Sequence, residues 1–151
     1  MLHGTGSIGL RPTGRPGAPD EWRDVTTVTQ GEVHPIDKNF FRSDAGLRSS
    51  LGVLDDLWAR SRSSLAAAGA DSIRTREAAG MLAVARWSYR SALTRTETRG
   101  MHQRVDHPDT DEGQQHRILS GGLDDVWTSI DPDAPVLVGD DAVDLDERVA
   151  S

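Results

Sequence analysis

The chain has 151 residues, the length of one domain, with 36% apolar and 5% aromatic residues and a net charge of −7. It has no cysteine, which excludes disulfides, thiolate metal sites, iron–sulfur ligation and cysteine nucleophiles, and makes a reducing cytoplasm the default compartment. The acidic balance gives no bulk reason to bind nucleic acid or an anionic membrane, and no apolar run approaches a membrane span.

The charge is uneven. Residues 1–130 hold seventeen acids and sixteen bases, whereas residues 131–151 hold seven acids and one base. The body is nearly neutral. Lys38 is its only lysine, so arginine carries the positive charge.

Residues 1–19 are rich in glycine and proline and free of acids, which predicts a flexible leader. Gly4-Thr5-Gly6-Ser7-Ile8-Gly9 has the spacing of a dinucleotide-binding turn. That chemistry needs a buried strand before it and a helix after it, and here three residues precede it and Pro12 follows. The match is therefore read as a decoy.

A domain is expected over residues 20–130. Trp22, Val25 and Val28 recur at helical spacing in a first candidate helix over 20–32. His34-Pro35 interrupts it. Ser43 or Asp44 can cap a second helix, in which Leu47, Leu51, Leu54, Trp58 and Leu65 form a near-heptad stripe that stops at Gly69. A third helix starts at Asp71 or Ser72. Ala78, Met81, Leu82, Ala85, Tyr89 and Ala92 form its stripe, and Gly100 is its expected end, with continuation to Val105 left open. The last two helices make an αα-hairpin.

Residues 106–114 have loop chemistry. His116 to Leu119, the Gly121-Gly122 turn and Leu123 to Ile130 predict an extended arm or β-hairpin. Residues 131–151 form an acidic tail expected to be mobile. The predicted class is all-α: a three-helix bundle-like domain with a small C-terminal arm.

Two constellations carry little chemistry. His102, His107, His116, Asp106, Asp109 and Asp111 lack the spacing of a helical metal site or a calcium loop, and are read as surface loop residues. No G-x-S-x-G nucleophile elbow occurs. No catalytic, cofactor-binding or metal-binding residue is assigned to this chain.

The third helix is more informative. Arg86 and Arg90, and Arg95 and Arg99, are like-charged pairs at i,i+4 if the helix continues, an arrangement that destabilises an isolated helix. They call for partners on other elements or on another domain. Val84 and Trp87 lie off the apolar stripe, which suits a docking face; another helix of the bundle covering Trp87, with the arginines at its rim, suits it equally.

Arg95, Glu97, Arg99, Gly100, His102, Arg104, Asp106 and Pro108 fit the run R-x-E-S-R-G-A-H-x-R-x-D-x-P, with Thr98 in place of Ser and Met101 in place of Ala. This run resembles the C-terminal helical domain of the succinate dehydrogenase/fumarate reductase flavoprotein family, which includes L-aspartate oxidase. Arg42, Leu47, Leu51, Leu54 and Trp58 are similar to the preceding family helix, Glu77, Leu82 and Ala85 to the start of the motif-bearing one, and His116 to Trp127 to its strand-like arm. The resemblance spans roughly residues 22–130.

It implies a parent FAD-dependent oxidoreductase acting on dicarboxylates, with flavin and catalytic residues in a large portion that these residues do not contain. Arg95, Glu97, Arg99, Gly100, His102, Arg104 and Asp106 carry over as a domain-docking motif. The chain alone is then expected to hold no FAD and to be inactive, as a fragment or as a separate subunit docking on a flavin-binding domain or subunit. A stand-alone helical interaction module is the other reading. Self-association through Val84 and Trp87, no nucleic-acid partner and no membrane insertion complete the expectations.

Overall fold

The computed structural model describes residues 21–63, 65 and 71–131. The leader 1–19 with its glycine run, the stop at Gly69 and the acidic stretch beyond Asp131 lie outside them.

Three helices make the body. α1 spans Glu21–Val33, α3 Asp44–Ser61 and α4 Asp71–Thr94; between the first two lies α2, the single turn Ile36–Asn39. Proline fits the start of α2 because its missing N–H costs nothing there, and Pro35 occupies the N-cap. α3 begins where Ser43 Oγ accepts the Gly46 N–H at 3.1 Å.

α4 packs against both α1 and α3, so its apolar band is wider than one stripe. Leu47, Leu51, Leu54, Trp58 and Leu65 are buried as the periodicity predicts, and so are Ala78, Leu82, Ala85, Tyr89 and Ala92. Ala79 and Ala83 are also buried, because α4 faces two neighbours. Four buried alanines at 78, 79, 83 and 85 leave little side chain between the helices and let the backbones approach.

Lys38, the lone lysine, pairs with the buried Glu32 at 2.8 Å. Glu32 also accepts from Ser50 Oγ at 2.6 Å, and its backbone carbonyl accepts from the Tyr89 hydroxyl at 2.5 Å. One residue at the end of α1 thus ties together α2, α3 and α4.

Among the described residues two small sheets accompany the helices. β1 (Phe41–Arg42) pairs in parallel with β2 (Gln103–Arg104), an element the periodicity did not reveal. β3 (Arg117–Gly121) pairs antiparallel with β4 (Trp127–Asp131), which is the expected hairpin with its turn placed later. The fold is the expected helical bundle with a small arm.

One boundary moves. α4 ends at Thr94, short of Gly100, and the motif residues 95–106 are not helical. Arg95 and Arg99 are therefore not one turn apart on a helix. Buried acceptors at the end of α4 bring the chain out of the helix, as the site below shows.

Candidate docking site

The motif folds into an ion network around Glu97. Glu97 is fully buried and pairs with Arg95 at 2.5 Å and Arg99 at 2.8 Å. Its other oxygen accepts the Asp111 N–H at 2.8 Å. Burial disfavours the charge of this carboxylate, yet the donors from Arg99, Asp111 and Arg95 outweigh it and hold the pKa down to about 2. Arg95 also donates to the carbonyls of Gln114 and His116, and Arg99 to that of Asp111. The network thereby fixes the loop that leads into the arm.

A second ion pair joins two helix ends. Arg104 is buried and holds Asp106 in a bidentate pair at 2.8 and 2.9 Å. Its Nη1 donates to the carbonyls of Ala92 and Arg95, in and just past the last turn of α4. Asp106 in turn accepts the Asp44 N–H at 2.7 Å, at the start of α3. A cation sits at a helix C-terminus and an anion at a helix N-terminus, both in the sense the helix dipoles favour. The Arg104 hydrogen bond holds the Asp106 pKa well below the usual carboxylate range, against the opposing effect of burial.

Between these pairs the backbone makes a tight turn. Arg99 and His102 exchange N–H···O bonds at 2.9 and 3.0 Å, and Gly100 has φ +57. Positive φ at the first central position alone is the type II′ pattern, which glycine adopts without strain. Thr98 Oγ1 accepts the Arg104 N–H at 2.9 Å and donates to the His107 carbonyl at 2.9 Å, a role the Ser of the family run can also fill.

His102 is half-buried rather than a surface loop residue. Its Nδ1 lies 2.9 Å from Arg42 Nη1 and its Nε2 3.2 Å from the Arg95 carbonyl. A guanidinium only donates, so Nδ1 accepts and Nε2 carries the hydrogen. Burial pushes the imidazole pKa down, so His102 is neutral at pH 7. Among the described residues no group of histidines and acids is placed to hold a metal ion.

All four arginines have partners within the chain. Arg86 and Arg90 meet Asp55 of α3 at 2.7 and 3.1 Å. Arg86 also donates to the carbonyls of Leu123 and Asp124 and lies 4.9 Å from the Trp58 ring centroid. Their repulsion is answered on other elements of this chain, and no missing domain is needed for it. Spacing could not reveal Asp55 or Asp124, because both come from distant segments.

The predicted docking face divides. Trp87 is half-buried, and its indole N–H donates to the Gly122 carbonyl at 2.6 Å, so the arm's turn covers part of it. Val84 is 51% exposed and lines a cleft. Exposed apolar side chains also lie on the motif and its strand partner: Phe41, which pairs in register with Gln103, is 53% exposed, Met101 79% and Val105 59%.

The helical bundle whose α4 runs into this buried ion network belongs to the fumarate reductase flavoprotein C-terminal family, whose model matches residues 36–123. Two solved structures of Mycobacterium smegmatis Sdh1 are similar in fold, one in complex with UQ1 at a TM-score of 0.61 and one in the apo form at 0.57, each 21% identical. The chain is covered to 94% and 93%, and it spans a quarter of the length of each Sdh1 chain. No curated protein matches it.

Proposed function

We propose that this chain serves as the C-terminal helical domain of an FAD-dependent oxidoreductase of the succinate dehydrogenase/fumarate reductase type, docked on a flavin-binding portion that supplies cofactor and catalysis. The observation that carries this is the family match through the motif, taken with the exposed apolar residues Phe41, Met101 and Val105 on the strands and turn of that same motif. Apolar side chains this exposed around an ordered charged network suit an interface between domains.

The motif residues are positioning residues on this reading. Glu97, Arg104 and Asp106 are fully engaged with one another's neighbours and with helix ends, and hold no group out toward a substrate. Among the described residues no helix is long and apolar enough to cross a membrane. We place the work of the domain in the cytoplasm, on the flavoprotein side of any larger assembly.

The test is purification with added FAD. The chain alone should retain no flavin absorbance and turn over neither succinate nor fumarate. Mixed with a flavoprotein of this type whose matching C-terminal quarter has been removed, it should form a stoichiometric complex. Flavin held by the chain alone, or absence of a complex, overturns the proposal. The closed ion network favours one further reading, a self-contained module acting as a separate subunit, and it predicts the same complex.

A further inference from the structure

Arg42 stands apart from the other arginines of the site. Of the five N–H groups of a guanidinium, its Nε–H bonds the Asn39 carbonyl, one Nη1–H bonds His102 Nδ1, and one Nη2–H bonds Asn39 Oδ1. All three acceptors are neutral. Two N–H groups are left over.

The neighbouring charge that acts on Arg42 is the like charge of Arg104, Tyr89 beside it being a neutral phenol, and among the described residues no carboxylate pairs with it. Burial pushes its pKa down, but a guanidinium stays charged at pH 7. A half-buried cation without a counter-ion is costly, and the cost falls when an anion is bound.

Its surroundings are shaped for one. Arg42 and Ser88 line two clefts at once. One, of about 240 Å³, lies between the end of α1 and α4 and is walled by Val33, Met81, Val84 and Tyr89. The other, of about 260 Å³, adds Ser91, Arg95 and His102. A cationic fork with hydroxyls on one side and an apolar slot on the other fits a carboxylate next to an apolar group.

We propose that Arg42 anchors a carboxylate-binding site, which seats an acidic side chain of the docked flavin-binding portion while an apolar neighbour of that side chain fills the cleft beside Val84. The source of the carboxylate rests on the docking reading above. The carboxylate chemistry itself rests on Arg42 and its clefts. Arg42 adjoins the motif directly, since the Val105 N–H bonds its carbonyl at 2.8 Å. The site therefore continues the same face.

The test uses the full chain, labelled for NMR, and the blocked dipeptide N-acetyl-leucyl-glutamate amide, with its glutamine isostere as control. The Arg42 side-chain N–H resonances, and the backbone N–H resonances of the cleft residues Tyr89, Ala92 and His102 that every variant retains, should shift saturably with the glutamate peptide, and the glutamine peptide should bind at least about tenfold more weakly. Arg42→Gln should abolish the effect. Ser88→Trp should abolish it too, by filling the clefts while leaving the three Arg42 hydrogen bonds in place.

Equal binding of both peptides, or saturation that survives Arg42→Gln, overturns the site. Neutralising Asp133, Asp140, Asp141, Asp144, Asp146 and Glu147 to their amides tests a competing occupant. Dipeptide binding about tenfold tighter in that variant assigns the site to the chain's own acidic tail and overturns the partner. No flavoprotein enters this assay, so failure here leaves docking standing. Peptide binding without any complex removes the docking reading and overturns the assigned source alone.

Discussion

Glu97 is the residue on which the site turns. Two guanidinium groups and a backbone N–H converge on a carboxylate with no exposed surface. Glu97→Gln keeps the shape but leaves Arg95 and Arg99 without their shared anion. Breaking a buried pair in this way costs about 3 kcal/mol, the low end of the usual range because the Arg99 side chain is 33% exposed. The sign with pH follows from a depressed acid. The stabilisation is complete above the ordinary value of 4.5 and is lost as pH falls toward about 2. Urea midpoints of the native chain should therefore drop between those pH values, and Glu97→Gln should flatten the drop. Equal slopes in the two proteins would refute the role. The motif pointed to Glu97 through its two flanking arginines, but Asp111 is fourteen positions away and contributes through its backbone, which no side-chain pattern reports.

At the scale of elements, several bonds hold the arm to the bundle, the Arg86 bonds to the Leu123 and Asp124 carbonyls and the Arg62–Asp124 pair among them. Trp87 bonds the Gly122 carbonyl, Trp58 Nε1 donates to Asp124 at 3.1 Å, and Thr94 meets Thr128 at 3.1 Å. Gly122 makes the Trp87 bond possible. It has φ +86, and a Cβ there would lie 2.0 Å from the Asp125 carbonyl oxygen. Gly122→Ala should cost about 1–2 kcal/mol for the left-handed backbone alone, and more for the clash. Hydrogen exchange should quicken in residues 117–131 while far-UV circular dichroism of the helices stays unchanged. Exchange confined to its native rate would mean that the turn is not what pins the arm. Gly121-Gly122 announced a turn, whereas its seat on Trp87 depends on where α4 places that ring.

For the whole molecule, exposed apolar side chains occur both at the off-stripe Val84 and around the motif. Trp87 is partly covered, and Phe41, Met101 and Val105 are open. The chain on its own should self-associate through Phe41, Met101 and Val105 at raised concentration, seen by sedimentation. Phe41→Ser with Met101→Gln should weaken that association while changing stability by no more than about 0.5 kcal/mol per site, as exposed positions do. Unchanged association would place the interface away from the motif. Trp127, 53% exposed, rather than Trp87 is then the tryptophan expected to give red-shifted emission.

Periodicity and capping, which are local, determined the three helices, their buried stripes, the αα-hairpin and the existence of the arm. The motif determined the family. Where α4 stops was decided by tertiary structure, because buried Arg104 takes the carbonyls of Ala92 and Arg95 and turns the chain toward β1. Pairing of the arginines was decided there too. Asp55 lies thirty-one residues before Arg86, and only packing of α3 on α4 brings them to 2.7 Å. The near-neutral body charge announced that cations and acids were balanced. That Arg42, at the motif, meets only neutral acceptors depended on three-dimensional proximity that composition does not encode.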